Sequence, residues 1–167
     1  LSYEDYLRIF IYLTGEKKLI LRLTDIIEMD IRKTMGNEYF SPTILRMGTL
    51  YGYSSRMRFD LVVNTMSMKS FVDGKIQVFG GRQWRPLLGV EDAAEVYVRC
   101  LESDLQDVGN QVFNVGSDTQ NYRIDEVAGI IGTALGGIPI TRDDSNLDAR
   151  DYRVSFAKLS NTVGFKP

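Results

Sequence analysis

The stretch IQVFGGRQWRPLLGVED, residues 76–92, decides how this chain is read. Ile76 to Phe79 form a short apolar run that ends on Gly80-Gly81. A basic, aromatic turn follows with Arg82, Trp84 and Arg85, then a second apolar run, then an acidic start at Glu91 and Asp92. A short apolar run bounded by turn residues is strand-like. Carboxylates entering an apolar pattern mark a helix N-terminus, where they face the positive end of the helix dipole. Two guanidinium groups and an indole on a glycine-hinged loop suit an anionic ligand with a planar end.

Outward from that stretch the chain alternates. Thr24 to Met35 reads as a helix, with Thr24 at the cap position and Arg32 and Lys33 near the end before Gly36. Pro42 to Met47 is a short buried strand, followed by turn material from Gly48 to Ser55. Phe59, Val62, Val63 and Met66 fall at helical spacing and predict a helix over Arg56 to Val72. Ala94, Tyr97, Val98 and Leu101 repeat that spacing after the acidic pair. Gln111 to Val115 is a strand candidate. Ile124, Val127, Ala128, Ile131 and Leu135 give the cleanest amphipathic helix, stopped by Gly136-Gly137. Ile138 to Thr141 reads as a strand. Ser155 is the expected cap of a last short helix with Phe156, Leu159 and Val163 on one face and Gly164 past its end. Alternating helices and strands predict an α/β or α+β domain.

Composition narrows the chemistry. The 167 residues are nearly half apolar, enough for a core. The net charge of -2 leaves no electrostatic footprint for a nucleic acid. No apolar run approaches the length of a bilayer span, and the start lacks a basic-then-apolar signal pattern. The single cysteine, Cys100, excludes an internal disulfide and fits a reducing compartment, so the expected setting is cytoplasmic. The absence of histidine removes Ser-His and Cys-His catalysis and most transition-metal sites, and no metal site is expected. No G-x-G-x-x-G or G-x-x-G-x-x-G turn occurs, and no Walker loop.

Five separated segments, taken in order, resemble the C-terminal half of an extended short-chain dehydrogenase/reductase, the NAD-dependent epimerase/dehydratase family. They are Pro42 to Gly52, Arg56 to Asn64, Ile76 to Glu95 with its V-x-D-x-A pattern, Phe113 to Gly116, and Asp148 to Ser155 followed by Gly164 to Pro167. The resemblance implies an α/β fold: the C-terminal part of a Rossmann-type extended fold plus its small α/β substrate-binding domain. It divides the chain into a remnant of the nucleotide-binding domain at 1–52 and a mainly substrate-binding part at 53–167. A strand and helix return to the Rossmann part near 87–117.

The same resemblance implies a nucleotide-diphosphate sugar as ligand and NAD as cofactor, with NAD held mostly by a region outside this chain. The activity implied is that of a nucleotide-sugar epimerase or dehydratase, UDP-glucose 4-epimerase-like. The alternative is a catalytically silent relative kept as a binding or structural module. Arg85 and Arg150 would pair with the diphosphate; the competing reading of each is a salt-bridged surface arginine. Gln77, Val78 and Phe79 would present a backbone edge to a pyrimidine base, or simply form a core strand. Asn64 would donate its amide to phosphate or sugar, or face solvent. Pro42, Met47, Gly48 and Thr49 would line the nicotinamide pocket, or fill and end a buried strand. Trp84 stacks on a ligand or anchors its loop, the anchor being favoured. Asp92 is read as a carboxylate bracing the helix start. Gly89 departs from the family pattern, where a larger residue is usual.

The family's Tyr-x-x-x-Lys pair, in which the lysine lowers the tyrosine pKa for proton transfer, aligns with Ile20 and Thr24. Neither can perform that role. Tyr12 and Lys17 have the wrong spacing for one helix face, and Glu38-Tyr39 lies beyond the helix, so no catalytic base is named. A homodimer is the assembly hypothesis, built on Leu1 to Leu13 and Thr24 to Met35 through Tyr6, Phe10, Ile27 and Ile31.

Overall fold

The structure is a computed structural model and describes residues 27–31, 33, 41–143 and 150–167. In chain order its elements are β1 (Ile44–Met47), β2 (Thr49–Tyr51), α1 (Val62–Asp73), β3 (Ile76–Phe79), β4 (Trp84–Gly89), α2 (Val90–Glu102), α3 (Leu105–Val108), β5 (Val112–Val115), β6 (Asn121–Arg123), α4 (Ile124–Ala134), β7 (Ile140–Asp143) and α5 (Ala157–Val163). They divide into two compact units. The expected helix from Thr24 is seen only in residues 27–31, which are helical. The Ile20, Thr24, Tyr12, Lys17 and Glu38-Tyr39 positions, and Leu1 to Leu13, lie outside the described residues.

The larger unit spans Leu45–Asp104 and Val112–Pro167. Its strands form three short sheets: β1 with β5, β2-β4-β6 in that order, and β3 with β7. The β2–β4 and β3–β7 pairs are parallel, and β4–β6 is antiparallel. Gly48 is the point where the strand changes partner. Its N–H donates to Val115 O at 2.9 Å, and a Cβ there would sit 3.3 Å from the carbonyl oxygens of Pro86 and Val115. The chain then pairs Thr49 with Leu87 and Tyr51 with Gly89, so part of the expected Gly48–Ser55 turn is the strand β2.

The core lies between α1, α4 and the strands. Met66 from α1, Ile76 and Val78 from β3, Leu87 from β4, and Val127, Ala128 and Ile131 from α4 form one buried cluster. The α4 residues sit three and four apart, so one face of that helix enters the core. Gly136 and Gly137, with φ of 84° and 86°, end its run as expected.

Three helices differ from the sequence reading for identifiable reasons. The helix expected from Arg56 begins at Val62. Side chains hold the preceding residues in a non-helical path: the Asn64 amide accepts from Gly52 N–H at 3.2 Å and donates to Arg58 O at 3.1 Å. Phe59 is therefore outside the helix and exposed. In α2 the spacing of Ala94, Tyr97, Val98 and Leu101 marks a real helix, yet these residues are exposed, and Ala93 and Val96 are the buried ones. At the last helix, Phe156 rather than Ser155 takes the cap position; Ser155 Oγ accepts the Ala157 N–H only at 3.5 Å.

The smaller unit comprises residues through Ile44 together with Leu105–Gln111. Within it Glu28 and Pro42 are buried, Thr43 Oγ1 donates to Val108 O at 2.8 Å, and Ile44 N–H donates to Gln111 O at 2.8 Å. Among the described residues no helix is long and apolar enough to cross a membrane.

Candidate functional site

A cleft of about 390 Å³ opens in the larger unit. One wall is a face of α1, where Val62, Thr65, Met66, Lys69, Ser70 and Asp73 follow at three- and four-residue intervals. The floor takes Gln77 and Phe79 from β3 and Thr49 from β2. Arg85 on β4 lines the cleft too, with Arg150 and Tyr152 from the irregular segment at 150–156. Arg85 and Arg150, far apart in sequence, thus share one cavity.

Strand alternation sets the floor. Ile76 and Val78 are fully buried, while Gln77 and Phe79 turn to the exposed side. Ile76 N–H donates to Pro139 O and Gly80 N–H to Asp143 O, at 2.8 and 3.2 Å. In a parallel ladder those even positions face β7, so the backbone groups of Gln77 and Phe79 face the other edge. Phe79 O there accepts Gln83 Nε2 at 2.9 Å, while Gln83 Oε1 accepts Gly81 N–H at 2.8 Å. One glutamine side chain therefore closes the Gly80-Gly81 turn. Trp84 and Arg85, expected in that turn, lie on β4.

Arg85 is held firmly. It is only 7% exposed, and its Nη1 donates to Trp84 O at 2.7 Å and to Arg150 O. Its guanidinium carbon lies 5.6 Å from the Tyr152 ring centre. Trp84 anchors the same wall. Its indole is flanked by Arg123 at 5.0 Å and Arg153 at 4.6 Å, and its N–H donates to Asp151 Oδ1 at 2.8 Å from the main chain. Arg82 is exposed and outside the cleft lining.

The remaining expected positions are placed as follows. Asn64 is buried, outside the cleft lining, and its amide is engaged by Gly52 and Arg58. Val78 is core. Met47 and Gly48 lead into Thr49, which lines the cleft; Pro42 belongs to the smaller unit. Asp92 sits in the first turn of α2. A Cβ on Gly89 would come within 2.9 Å of Asp92 Oδ2, so a larger residue there displaces that carboxylate. Burial raises the pKa of the nearby Tyr51 phenol above its usual value, and Asp92 and Tyr122 raise it further.

Lys69, Lys75, Asp73 and Tyr152 line the cleft without having been singled out in the sequence. The polar residues on α1 carried a signal, a second period-matched face beside the apolar one. Tyr152 carried none beyond its place in the Asp148 to Ser155 segment.

The model of the NAD dependent epimerase/dehydratase family matches residues 27–116, more than half of the chain. The chain belongs to that family. A family of unknown function, DUF5702, matches residues 1–47. Solved structures resemble this epimerase/dehydratase chain at low identity. The NAD dependent NDP-hexosamine 5,6-dehydratase TunA, involved in tunicamycin biosynthesis, is 20% identical with a TM-score of 0.66, over 83% of this chain and 45% of its own. The dTDP-glucose 4,6-dehydratase of Bacillus anthracis is 21% identical with a TM-score of 0.66, over 87% and 44%. The UDP-glucuronic acid 4-epimerase of Bacillus cereus, solved with UDP-glucuronic acid and NAD, is 19% identical with a TM-score of 0.64, over 78% and 41%. These likenesses establish the Rossmann-type α/β fold of extended short-chain dehydrogenases. The chain spans less than half the length of each of these structures.

Proposed function

We propose that this chain is the sugar-nucleotide-binding part of an NAD-dependent nucleotide-sugar epimerase or dehydratase. One observation carries the reading: a single cleft is lined by Arg85, Arg150 and Lys69 together with Gln77 and Phe79 of β3. A diphosphate needs several cationic donors, and a base needs a flat apolar surface with backbone groups at its edge. Phe79 and the backbone of Gln77 supply the latter. Arg150 is the phosphate-facing arginine in this reading. Arg85 supports it from behind through the Arg150 carbonyl. Residues 53–167 act mainly as the substrate-binding part, as the sequence division has it.

NAD is the cofactor this function requires, supplying a transient oxidant at the sugar. The contacts proposed for its nicotinamide end are Met47, Gly48 and Thr49. The fit stops there. The 167 residues contain no glycine-rich dinucleotide turn, and the space above Gly48 is filled by the Pro86 and Val115 carbonyls rather than left as a cradle. No hydride step is therefore assigned to this chain's residues, whose work is to bind and orient the nucleotide sugar.

Calorimetric titration of the full chain with UDP, dTDP, GDP and ADP tests the proposal. At least one nucleoside diphosphate should bind, and Arg150→Ala should weaken it at least tenfold, consistent with loss of a charge-assisted contact of about 1.5–3 kcal/mol. Absence of binding by all four overturns it.

A further inference from the structure

The cleft wall that carries Arg150 and Tyr152 is neither helix nor strand. It is an irregular strap, residues 150–156, which has no backbone ladder of its own and lies against the side of the β2-β4-β6 sheet. Side-chain bonds latch it at several points, among them Arg85 to the Arg150 carbonyl, Asp118 to the Phe156 N–H and Asn114 to the Ser155 carbonyl. Asp151 Oδ1 accepts the Trp84 N–H at 2.8 Å from β4. Asn121 on β6 makes a two-point contact with Val154, accepting its N–H at 3.0 Å and donating to its carbonyl at 2.9 Å. Between the latches Arg153 packs on the Trp84 ring. Neither Asp151 nor Asn121 lines the cleft.

We infer that Asp151 and Asn121 are positioning residues, which act on the bound ligand only by fixing Arg150 on the cleft wall. The inference rests on the nucleotide-binding reading above. Its physical basis is that an arginine has four flexible torsions, and its value to a phosphate depends on a main chain held at one place. The strap lacks strand pairing, so that placement falls to side-chain bonds: Asp151 and Asn121 hold the residues that follow Arg150, and Arg85 holds the Arg150 carbonyl itself. Asn121 is suited to it because a carboxamide has one acceptor and one donor end, matching the N–H and the C=O of one residue at once. It is also buried, whereas Asp151 is exposed.

The sign of the effect separates this role from simple electrostatics. Removing the Asp151 carboxylate beside an anion site raises the local positive potential, which by itself tightens phosphate binding. A positioning role gives the opposite result. Asp151→Ala frees the strap at Trp84 and weakens binding, while Asp151→Asn keeps an acceptor for the Trp84 N–H and restores it.

The experiment is a mutant cycle read by calorimetry on the full chain, with UDP, dTDP, GDP and ADP and the matching nucleosides as probes. Asp151→Ala should weaken the nucleoside diphosphate that binds by about tenfold, within the range of coupling seen for residues in one network. Asp151→Asn should bind as the unsubstituted chain or more tightly. In an Arg150→Ala background the effect of Asp151→Ala should vanish, and affinity for the nucleoside should be unchanged. Asn121→Ala, which removes both contacts to Val154 without adding charge, should repeat the pattern. A loss that persists without Arg150, a loss equal for nucleoside and diphosphate, or no loss at all overturns the positioning role alone. Failure of the unsubstituted chain to bind any of the diphosphates overturns the nucleotide reading, and this role with it.

Discussion

The guanidinium of Arg85 donates to the main-chain carbonyl of Arg150, a residue 65 positions further along the chain. It also donates to its neighbour's carbonyl, Trp84 O, and is almost wholly buried. A charged donor withdrawn from water and spent on main-chain oxygens is a structural tie, so its loss reads out in stability. Arg85→Met should lower the unfolding free energy by about 1.5–3 kcal/mol, the range for hydrogen bonds to charged groups. Urea denaturation of the two proteins checks this; equal midpoints and slopes would contradict it.

Gly81 stands against Asp125. Its φ is +104°, and a Cβ would meet the Asp125 carboxylate at 2.5 Å. That carboxylate in turn accepts Arg142 Nε at 3.0 Å. Gly81→Ala should cost about 1–3 kcal/mol, from left-handed backbone strain together with the displaced carboxylate. Adding Asp125→Ala should recover the steric part, so the double variant loses less than the sum of the two single changes. Thermal melts of the three variants decide it, and strict additivity would count against the contact.

Long apolar periodicities were legible in the sequence, and local polar bonds were not. The α4 helix, the β3 strand and the glycine stop after α4 could be read because spacing alone specifies which face is buried. The start of α1 could not, because the Asn64 amide and the Arg58 and Asp60 side chains hold the residues before Val62 out of the helix. The three-residue β6 was too short and too polar to show a period. In α2 the spacing revealed a helix but not which side faces inward. The union of Arg85 and Arg150 in one cleft was expected from the family resemblance. The strap that joins them was not, since Asn121 and Asp118 carry no motif, yet they hold Val154 and Phe156 by side-chain bonds.

Tyr51 gives the protein an alkaline signature. Its phenol pKa is raised above the usual value by burial first, then by Asp92 and Tyr122. The folded state therefore holds that proton more tightly than the unfolded chain does. The resulting stabilisation is fully present below the unfolded tyrosine value near 10 and is lost as pH rises through the higher folded value. Melting temperatures should fall as pH rises above about 10, and Tyr51→Phe should flatten part of that fall. An unchanged slope in the variant would exclude Tyr51 as a contributor.

Asn64 bridges the Gly52 N–H and the Arg58 carbonyl from a buried position. Asn64→Ala leaves both groups without that partner and should cost about 1–3 kcal/mol. Because the amide is engaged away from the cleft, nucleoside diphosphate affinity should change by less than about threefold, under 1 kcal/mol. Denaturation and calorimetry on the same variant separate the two effects. A tenfold loss of affinity with unchanged stability would move Asn64 into the ligand contacts.

The nucleotide-binding cleft is tested most directly by a crystal structure of the chain grown with the nucleoside diphosphate that binds it. The expected result is a base against Phe79 at the outer edge of β3 and a diphosphate within hydrogen-bond distance of the Arg150 guanidinium, with the strap still latched by Asp151 and Asn121. A nucleotide bound elsewhere on the chain, or one whose phosphates turn away from Arg150, would contradict the account.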